Sequence, residues 1–552
     1  MKRRFRAVSL VLALATVPVA PGQEPTRSAT ARGTMPPPSP PPVDPTAPPP
    51  PPPPSADPSD RLAAIEARLE ALEERNRRLE QENRALRERL DASPVKPAEA
   101  PPTDGARAAD PTDAGESRPG TSFSANADSP VPSYAGVTPS RPSGRIPLLG
   151  GFGQGFVFES EDEEFQLQVH IESQTDYRAF DPGGELFARD GIYAPRNRLF
   201  FGGRATRGVE YLVSINRGFG ALDLLDAYLN FRRDDRLQLK VGRFMTPFNY
   251  EQFAIQNMWL IAPERSLFTT NLGLNRQLGA MLWGSLLDER LDYAVGVFDG
   301  PRNSYEDFND SKDVMAYLNA RPFQETAEGN PLRLLNLGGS FAYGAQDNAA
   351  FLPRSFRLAT NASNAGTADR AAPPFLIFDD EVIERGQRTF WSAHLAYFYR
   401  SLSLLAEYNG SIQRYARTVA TPESTVLPAS GYSVSAGYFL TGEQVERRTV
   451  VEPLRPFRLR RGEFGPGAIE LIGRYSAFDI DSGLFDAGLA DRALSSNRAW
   501  VTNLGVNWYP NKFVKVYLDW QHGEFGDPVF FALPDRHALT NEMLWLRVQF
   551  YY

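Results

Sequence analysis

From Phe165 the side chains change character one by one. Phe165, Leu167, Val169, Ile171, Thr175 and Tyr177 stand between Gln166, Gln168, His170, Glu172, Gln174, Asp176 and Arg178. A period of two places each set on its own face of a β-strand. Half-buried strands of soluble sheets alternate as well, but this pattern runs for about 13 residues, long enough for a tilted strand to cross a bilayer. The dyad returns at Val209 to Asn216, Leu225 to Arg232 and Leu237 to Val241, with the short polar turn Arg233-Asp234-Asp235 between the last two. Further strands are expected at Leu291 to Phe298, Val314 to Arg321, Phe390 to Arg400, Leu402 to Asn409, Tyr432 to Thr441, Ile469 to Phe478, Thr502 to Tyr509, Val514 to Trp520 and Leu544 to Tyr552, with long and short connections alternating. About 400 residues at about 25 per strand and connection give about sixteen strands, a ring wide enough to hold water. Aromatics gather at strand ends, as in Phe390-Trp391, Tyr397-Phe398-Tyr399 and Phe550-Tyr551-Tyr552, where interfacial girdles belong. The expected fold of residues 146–552 is all-β, a transmembrane antiparallel β-barrel.

Before residue 146 the periodicity is different. Leu62, Ile65, Leu69, Leu72, Asn76, Leu79, Asn83, Leu86 and Leu90 recur at alternating spacings of three and four, a heptad seam that predicts a short α-helical coiled coil over 59–92. Residues 23–58 contain the run Pro48 to Pro54, a stiff polyproline spacer. Residues 93–145 show no hydrophobic period and read as a disordered linker. The chain opens Met1-Lys-Arg-Arg-Phe-Arg6, followed by an apolar run from Ala7 to Val19 and by Ala20-Pro21-Gly22. That is the build of a secretory signal peptide over 1–22, since the run falls short of the ~20 residues of a spanning helix. No later apolar run reaches that length, so membrane crossing must use strands closed into a barrel.

Charge narrows the partners. The chain has 59 basic and 67 acidic side chains, and the first 145 residues hold 19 and 18 of them, so the acidic excess lies in the barrel region. With no basic block, nucleic acid is not an expected partner. There is no Cys, hence no thiolate chemistry.

Several ordered stretches resemble the phosphate-selective porin O and P family: Gly242-Arg-Phe-Met-Thr-Pro-Phe-Asn-Tyr-Glu251, Glu264-Arg265-Ser266 and Arg276-Gln-Leu-Gly279, then Tyr438-Phe-Leu-Thr-Gly-Glu443, Glu470-Leu-Ile-Gly-Arg-Tyr-Ser476, Leu504-Gly-Val-Asn-Trp-Tyr509 and Leu546-Arg-Val-Gln-Phe550. The resemblance spans roughly 150 to 552 and leaves the arm outside. It implies a sixteen-stranded homotrimeric porin of the bacterial outer membrane, whose third long loop folds into the lumen and whose wall arginines and lysines pass anions.

If odd positions of the second strand face lipid, Arg196, Arg198 and Arg204 share the lumenal side; with Lys240 and Arg276 they form the candidate anion path. The bland alternative pairs such arginines with Glu172, Asp176, Glu210 and Asp226. The candidate constriction loop runs from Met245 to Asn275 and includes Phe248, Glu251, Glu264 and Arg265. It contains no Lys, and Met245 stands where family members often carry a basic residue, which weakens the expectation of phosphate selectivity. Glu306, Asp307, Asn309, Asp310 and Asp313 match no calcium-loop spacing and read as a solvated loop. His170, His394, His522 and His537 are scattered without ligand spacing, and Asp479 with Asp481 reads as a strand end. No metal, cofactor or catalytic site is expected. The function expected is passive diffusion of small hydrophilic or anionic solutes across outer-membrane lipid. The alternative is an outer-membrane anchor whose periplasmic arm tethers the barrel to a cell-wall or envelope partner of the coiled coil.

Overall fold

The computed structural model describes residues 148–552 apart from 154, 163, 185–186, 220, 304, 306, 308, 328, 349–354, 360–370, 461–462 and 533–535. The signal peptide, proline spacer, heptad segment and linker expected over 1–145, and Glu306 of the acidic cluster, lie outside the described residues.

Two short strands, β1 (Leu148–Gly153) and β2 (Gly155–Ser160), precede the barrel. The first half of the wall is β3 (Gln166–Asp181), β4 (Gly191–Thr206), β5 (Val209–Gly218), β6 (Ala221–Asp234), β7 (Leu237–Met245), β8 (Arg276–Leu286), β9 (Leu291–Phe298), β10 (Asp313–Ala320) and β11 (Leu334–Asn348). After the hairpin β12 (Ser355–Arg357) and β13 (Pro374–Ile377), the wall resumes with β14 (Ile383–Tyr399), β15 (Leu402–Ala416) and β16 (Thr425–Phe439). A second small hairpin, β17 (Arg458–Arg460) and β18 (Glu463–Gly465), leads to β19 (Ala468–Ile480), β20 (Arg498–Asn511), β21 (Val514–Ala532) and β22 (Arg536–Tyr551). Each wall strand pairs antiparallel with the next, and β22 pairs with β3 at Leu546↔Tyr177 and Tyr551↔Glu172, closing a ring of sixteen. Below the end of β22, β2 occupies the same edge of β3, pairing Phe156 with Val169. Closure removes the sheet edges that lipid could not satisfy.

The wall is inverted relative to a soluble protein. On β22, Leu544, Leu546, Val548 and Phe550 are 39–48% exposed, whereas Trp545 and Arg547 are 0% exposed. On β3, Gln168, Glu172, Gln174, Asp176 and Arg178 point inward and are buried, while Tyr177 stays exposed outside. The polar set of the dyad therefore faces the lumen, as its length predicts.

The expected strands all form, most extended by several residues. β8 and β11 are additions: Gly279 and Gly284 in one, and Gly338, Gly339 and Gly344 in the other, interrupt the apolar dyad that marks the rest. The alternation of long and short connections is imperfect. The segment between β16 and β19 is long although it lies at the end of the barrel where most turns are tight, because it carries Arg448 into the lumen.

The core sits inside the ring. In the connection from β11 to β14, the β12–β13 hairpin folds inward, and Phe356 and Phe375, both fully buried, pack on Phe478 of β19 with ring centroids 5.4 and 5.6 Å away. Phe378 stacks beside Tyr415 of β15.

Candidate functional site

The second inward element is the connection from β7 to β8. Gly242 precedes it, at φ 132° and opposite Tyr228; a Cβ there would lie 2.3 Å from the Ala227 carbonyl and 2.7 Å from the Tyr228 backbone. That close approach requires glycine. Thr246 donates its N–H to the Asn275 carbonyl (2.9 Å), pinching the base of the loop. Inside it, α1 (Tyr250–Phe253) is capped by Asn249, whose side-chain oxygen accepts from the Gln252 N–H (2.8 Å). α2 (Leu267–Leu272) begins at Ser266, whose N–H and hydroxyl both donate to the Glu251 carboxylate at 2.9 and 2.7 Å. Arg265 donates to the carbonyls of Glu251, Gln252 and Ile255 and so holds the curve between the two helices.

An irregular segment at membrane depth survives only if its backbone finds partners within the protein. Here the β14–β22 wall supplies them. Gln549 donates to the Met258 carbonyl (3.1 Å), Arg448 to Trp259 (3.1 Å), Lys515 to Leu260 (2.8 Å), Asn507 to Ile261 (2.9 Å), Arg547 to Pro263 (2.5 Å) and Arg474 to Glu264. At the other end, Glu407 accepts from the N–H groups of Tyr250 (2.6 Å) and Glu251 (3.3 Å). The Glu264 carboxylate binds Arg196 through both oxygens (2.6 Å each) and Arg547 at 2.9 Å. Burial pushes the Glu264 carboxyl up, but Arg196 and Arg547 outweigh it and hold it well below the usual carboxylate range. Asp176 pairs with Arg178 and Arg547, and Glu470 with Arg448, so Arg547 and Arg448 are themselves balanced.

Pressed against that side, the loop leaves a cavity along β4 to β8 that opens to the lumen. Arg198, Asp226, Lys240, Arg265 and Arg276 are its charged lining, and Phe200, Leu212, Tyr228, Phe244, Phe253 and Ile255 supply much of the rest. Arg276 grips Asp226 through two nitrogens (2.9 and 3.1 Å), and Arg198 meets Glu172 at 3.2 Å. Lys240, 1% exposed, has aromatic partners instead: its ammonium lies 4.6 Å from the Tyr228 ring centroid, 4.8 Å from Trp283 and 5.5 Å from Phe244.

The expected path residues thus divide. Arg198, Lys240 and Arg276 meet at the cavity with Met245 and Arg265 of the loop. Arg196, although lumenal, belongs to the fastening through Glu264, and Arg204 pairs with Glu159 of β2 at 2.5 Å near the tight-turn end. Phe248 is fully buried against Phe390 of β14, and Glu251 caps α2. All four carboxylates offered as alternative partners do pair: Glu172 with Arg198, Asp176 with Arg547, Glu210 with Arg232 and Asp226 with Arg276. Arg448, Arg474, Lys515 and Arg547 were not singled out by sequence. Three of them sit at inward positions of the dyad, the one signal that could have found them, whereas Arg448 comes from a connection. Among the described residues no cluster of His, Asp and Glu has the makings of a metal site.

The sequence profile of the family described as Phosphate-selective porin O and P matches residues 167–527. Porin O of Pseudomonas aeruginosa is 26% identical over 388 residues, covering 66% of this chain and 84% of its own. Solved structures similar to the barrel include an anion-selective porin from Comamonas acidovorans (10% identity, TM-score 0.42, 70% of this chain and 99% of that one) and the outer membrane channel DcaP of Acinetobacter baumannii (11% identity, TM-score 0.42, 70% and 97%). With a closed ring of sixteen strands, a lumen lined by charge and a profile match over more than half its length, the chain belongs to the phosphate-selective porin O and P family and is an outer-membrane porin.

Proposed function

We propose that this porin passes small anions in preference to cations, down their gradients, through the gap between the inward loop and the β4–β8 wall, with no catalytic step. The observation that carries the reading is the cavity lining: four cations, Arg198, Lys240, Arg265 and Arg276, against one carboxylate, Asp226, in a chain of net charge −8. Basic side chains lining a constriction attract anions, and low-dielectric walls focus their field. Inorganic phosphate has no privileged place here, since the loop carries no Lys and Met245 brings a thioether to the cavity. The relative from Pseudomonas aeruginosa carries the name Porin O, which agrees with a channel. The test is the reversal potential across a planar bilayer under a KCl gradient, repeated with potassium phosphate. A potential of the sign set by chloride is expected; one set by potassium overturns the reading.

In the same reading the barrel is a homotrimer with its tight-turn end in the periplasm, where the arm over 23–145 would project. Unboiled gel mobility tests the first point and protease access in intact cells the second. The reading of the barrel as an anchor rather than a pore is favoured by one observation, the β12–β13 hairpin and inward loop that together fill much of the lumen. Single-channel recording separates the two, because a plugged anchor conducts little. Deleting residues 24–145 tests the tether.

A further inference from the structure

The cavity holds buried donors that lack acceptors. Lys240 Nζ lies against three rings, and among the described residues neither Tyr228 Oη nor Arg198 Nε has a hydrogen-bond partner. All three side chains line the same cavity and are at least nine-tenths buried. Buried donors without partners mark a place for water, an ion or a ligand. All three of these groups, on three neighbouring strands, can donate, which calls for a group rich in lone pairs, and an ionised carboxylate is such a group.

The other surface of the cavity is apolar. Phe200, Leu212 and Phe244 on the wall face Phe253 and Ile255 on the loop. Tyr228 and Phe244 stand edge to face, centroids 5.9 Å apart and planes at 76°, an arrangement that a third ring can extend. A small inorganic oxyanion has no use for such a wall, because every oxygen turned toward it loses a hydrogen bond. The charge balance points the same way. Arg276 and Arg198 are each bonded to a carboxylate, and Arg265 spends its donors on loop carbonyls, which leaves Lys240 as the lining cation packed against rings, with Asp226 and Glu210 acting on it only through their field. One ammonium with no acceptor bonded to it suits a single carboxylate.

We propose that this cavity is a binding site for organic monocarboxylates with an aromatic body, the carboxylate received by Lys240 and Tyr228 and the ring by the apolar wall. The proposal rests on the anion-preferring reading and names the solute class that the site favours.

The experiment uses the full chain in planar bilayers, with benzoate, acetate and inorganic phosphate added separately to KCl. Benzoate is expected to interrupt the chloride current at a concentration at least tenfold lower than acetate or phosphate. Equal or stronger interruption by phosphate, or no difference between benzoate and acetate, overturns the proposal without any variant. Lys240→Met should raise the benzoate concentration needed by at least tenfold and Lys240→Arg should largely restore it; an unchanged response in Lys240→Met also overturns it. The two readings fail separately. A potassium-dominated reversal potential with benzoate interruption intact removes anion preference and leaves the site, whereas chloride preference without benzoate interruption removes the site alone.

Discussion

The two sides of the lumen use the same kinds of residue to opposite ends. Along β14 to β22, Arg474, Lys515 and Arg547 reach across and spend their hydrogen bonds on the backbone of the inward loop, and aromatic side chains close the space above. Along β4 to β8, Arg198, Lys240 and Arg276 border open volume. An inward-facing cation is therefore not by itself a transport residue. What decides its role is whether a carbonyl or a cavity lies at the end of its side chain. Loop position sets that, and loop position in turn depends on the fastened side.

The sharpest way to break this comparison is to loosen the fastening at Glu264. Glu264→Gln leaves Arg196 and Arg547 without their shared carboxylate, and breaking a buried ion pair in this way costs about 3–5 kcal/mol. The temperature at which the folded band converts on unboiled gels should fall, and single-channel currents should become noisier as the loop moves into the cavity. If both stay at wild-type values, the loop is held by something else. Acid should reproduce the effect only late. The folded-state pKa of Glu264 lies below its ordinary 4.5, so its contribution is present above that value and is lost as pH falls through the folded one. The pH-dependent rise in noise that is present in wild type and absent in Glu264→Gln should lie below pH 4.5; a Glu264-dependent rise centred at or above 4.5 contradicts the assignment.

Next in size is the apolar part of the fastened side. Phe356→Ala removes a fully buried ring from the cluster with Phe375, Phe378 and Phe478, a change worth about 3 kcal/mol in a packed core. Conductance should rise as the hairpin loosens, with the reversal potential unchanged, because the charged lining lies on the other side. A changed reversal potential with unchanged conductance would place the selectivity filter at the hairpin.

What was legible in sequence follows the same division. The dyad is written into neighbouring residues, so the strands, the inward parity of Arg196, Arg198 and Lys240, and the closing strand could be read directly. Pairing across the lumen is not local. Arg196 and Glu264 are 68 residues apart and Arg547 and Pro263 are 284 apart, and no period connects them. The hairpin was invisible for a related reason. Ala371 to Phe378 is a short apolar run like many others, and only the unfilled space inside the ring makes it a plug. β8 and β11 were missed because glycine supplies no apolar signal at positions where the wall needs none.

The open side can be sharpened at Asp226. Asp226→Asn keeps a group able to bond Ser214 and frees Arg276 from its carboxylate. One added net charge about 5 Å from a hydrated path is worth on the order of 1 kcal/mol, or roughly fivefold in the chloride-to-potassium permeability ratio. The ratio should move toward chloride by about that factor. No movement would mean that ions do not pass between β6 and the loop.

The smallest effect belongs to Arg204, and its smallness is the point. Its side chain is 34% exposed and pairs with Glu159 at the tight-turn mouth, away from both the cavity and the fastening. Such partly exposed pairs contribute about 0–1 kcal/mol, and their field is screened beyond ~10 Å at 0.1 M salt and ~3 Å at 1 M. Arg204→Ala should therefore lower anion conductance by less than a factor of two in dilute KCl and leave it unchanged in 1 M KCl. A large loss that persists at high salt would move the narrowest selective point from the inward loop to the mouth, and with it the reason why the two sides of the lumen differ.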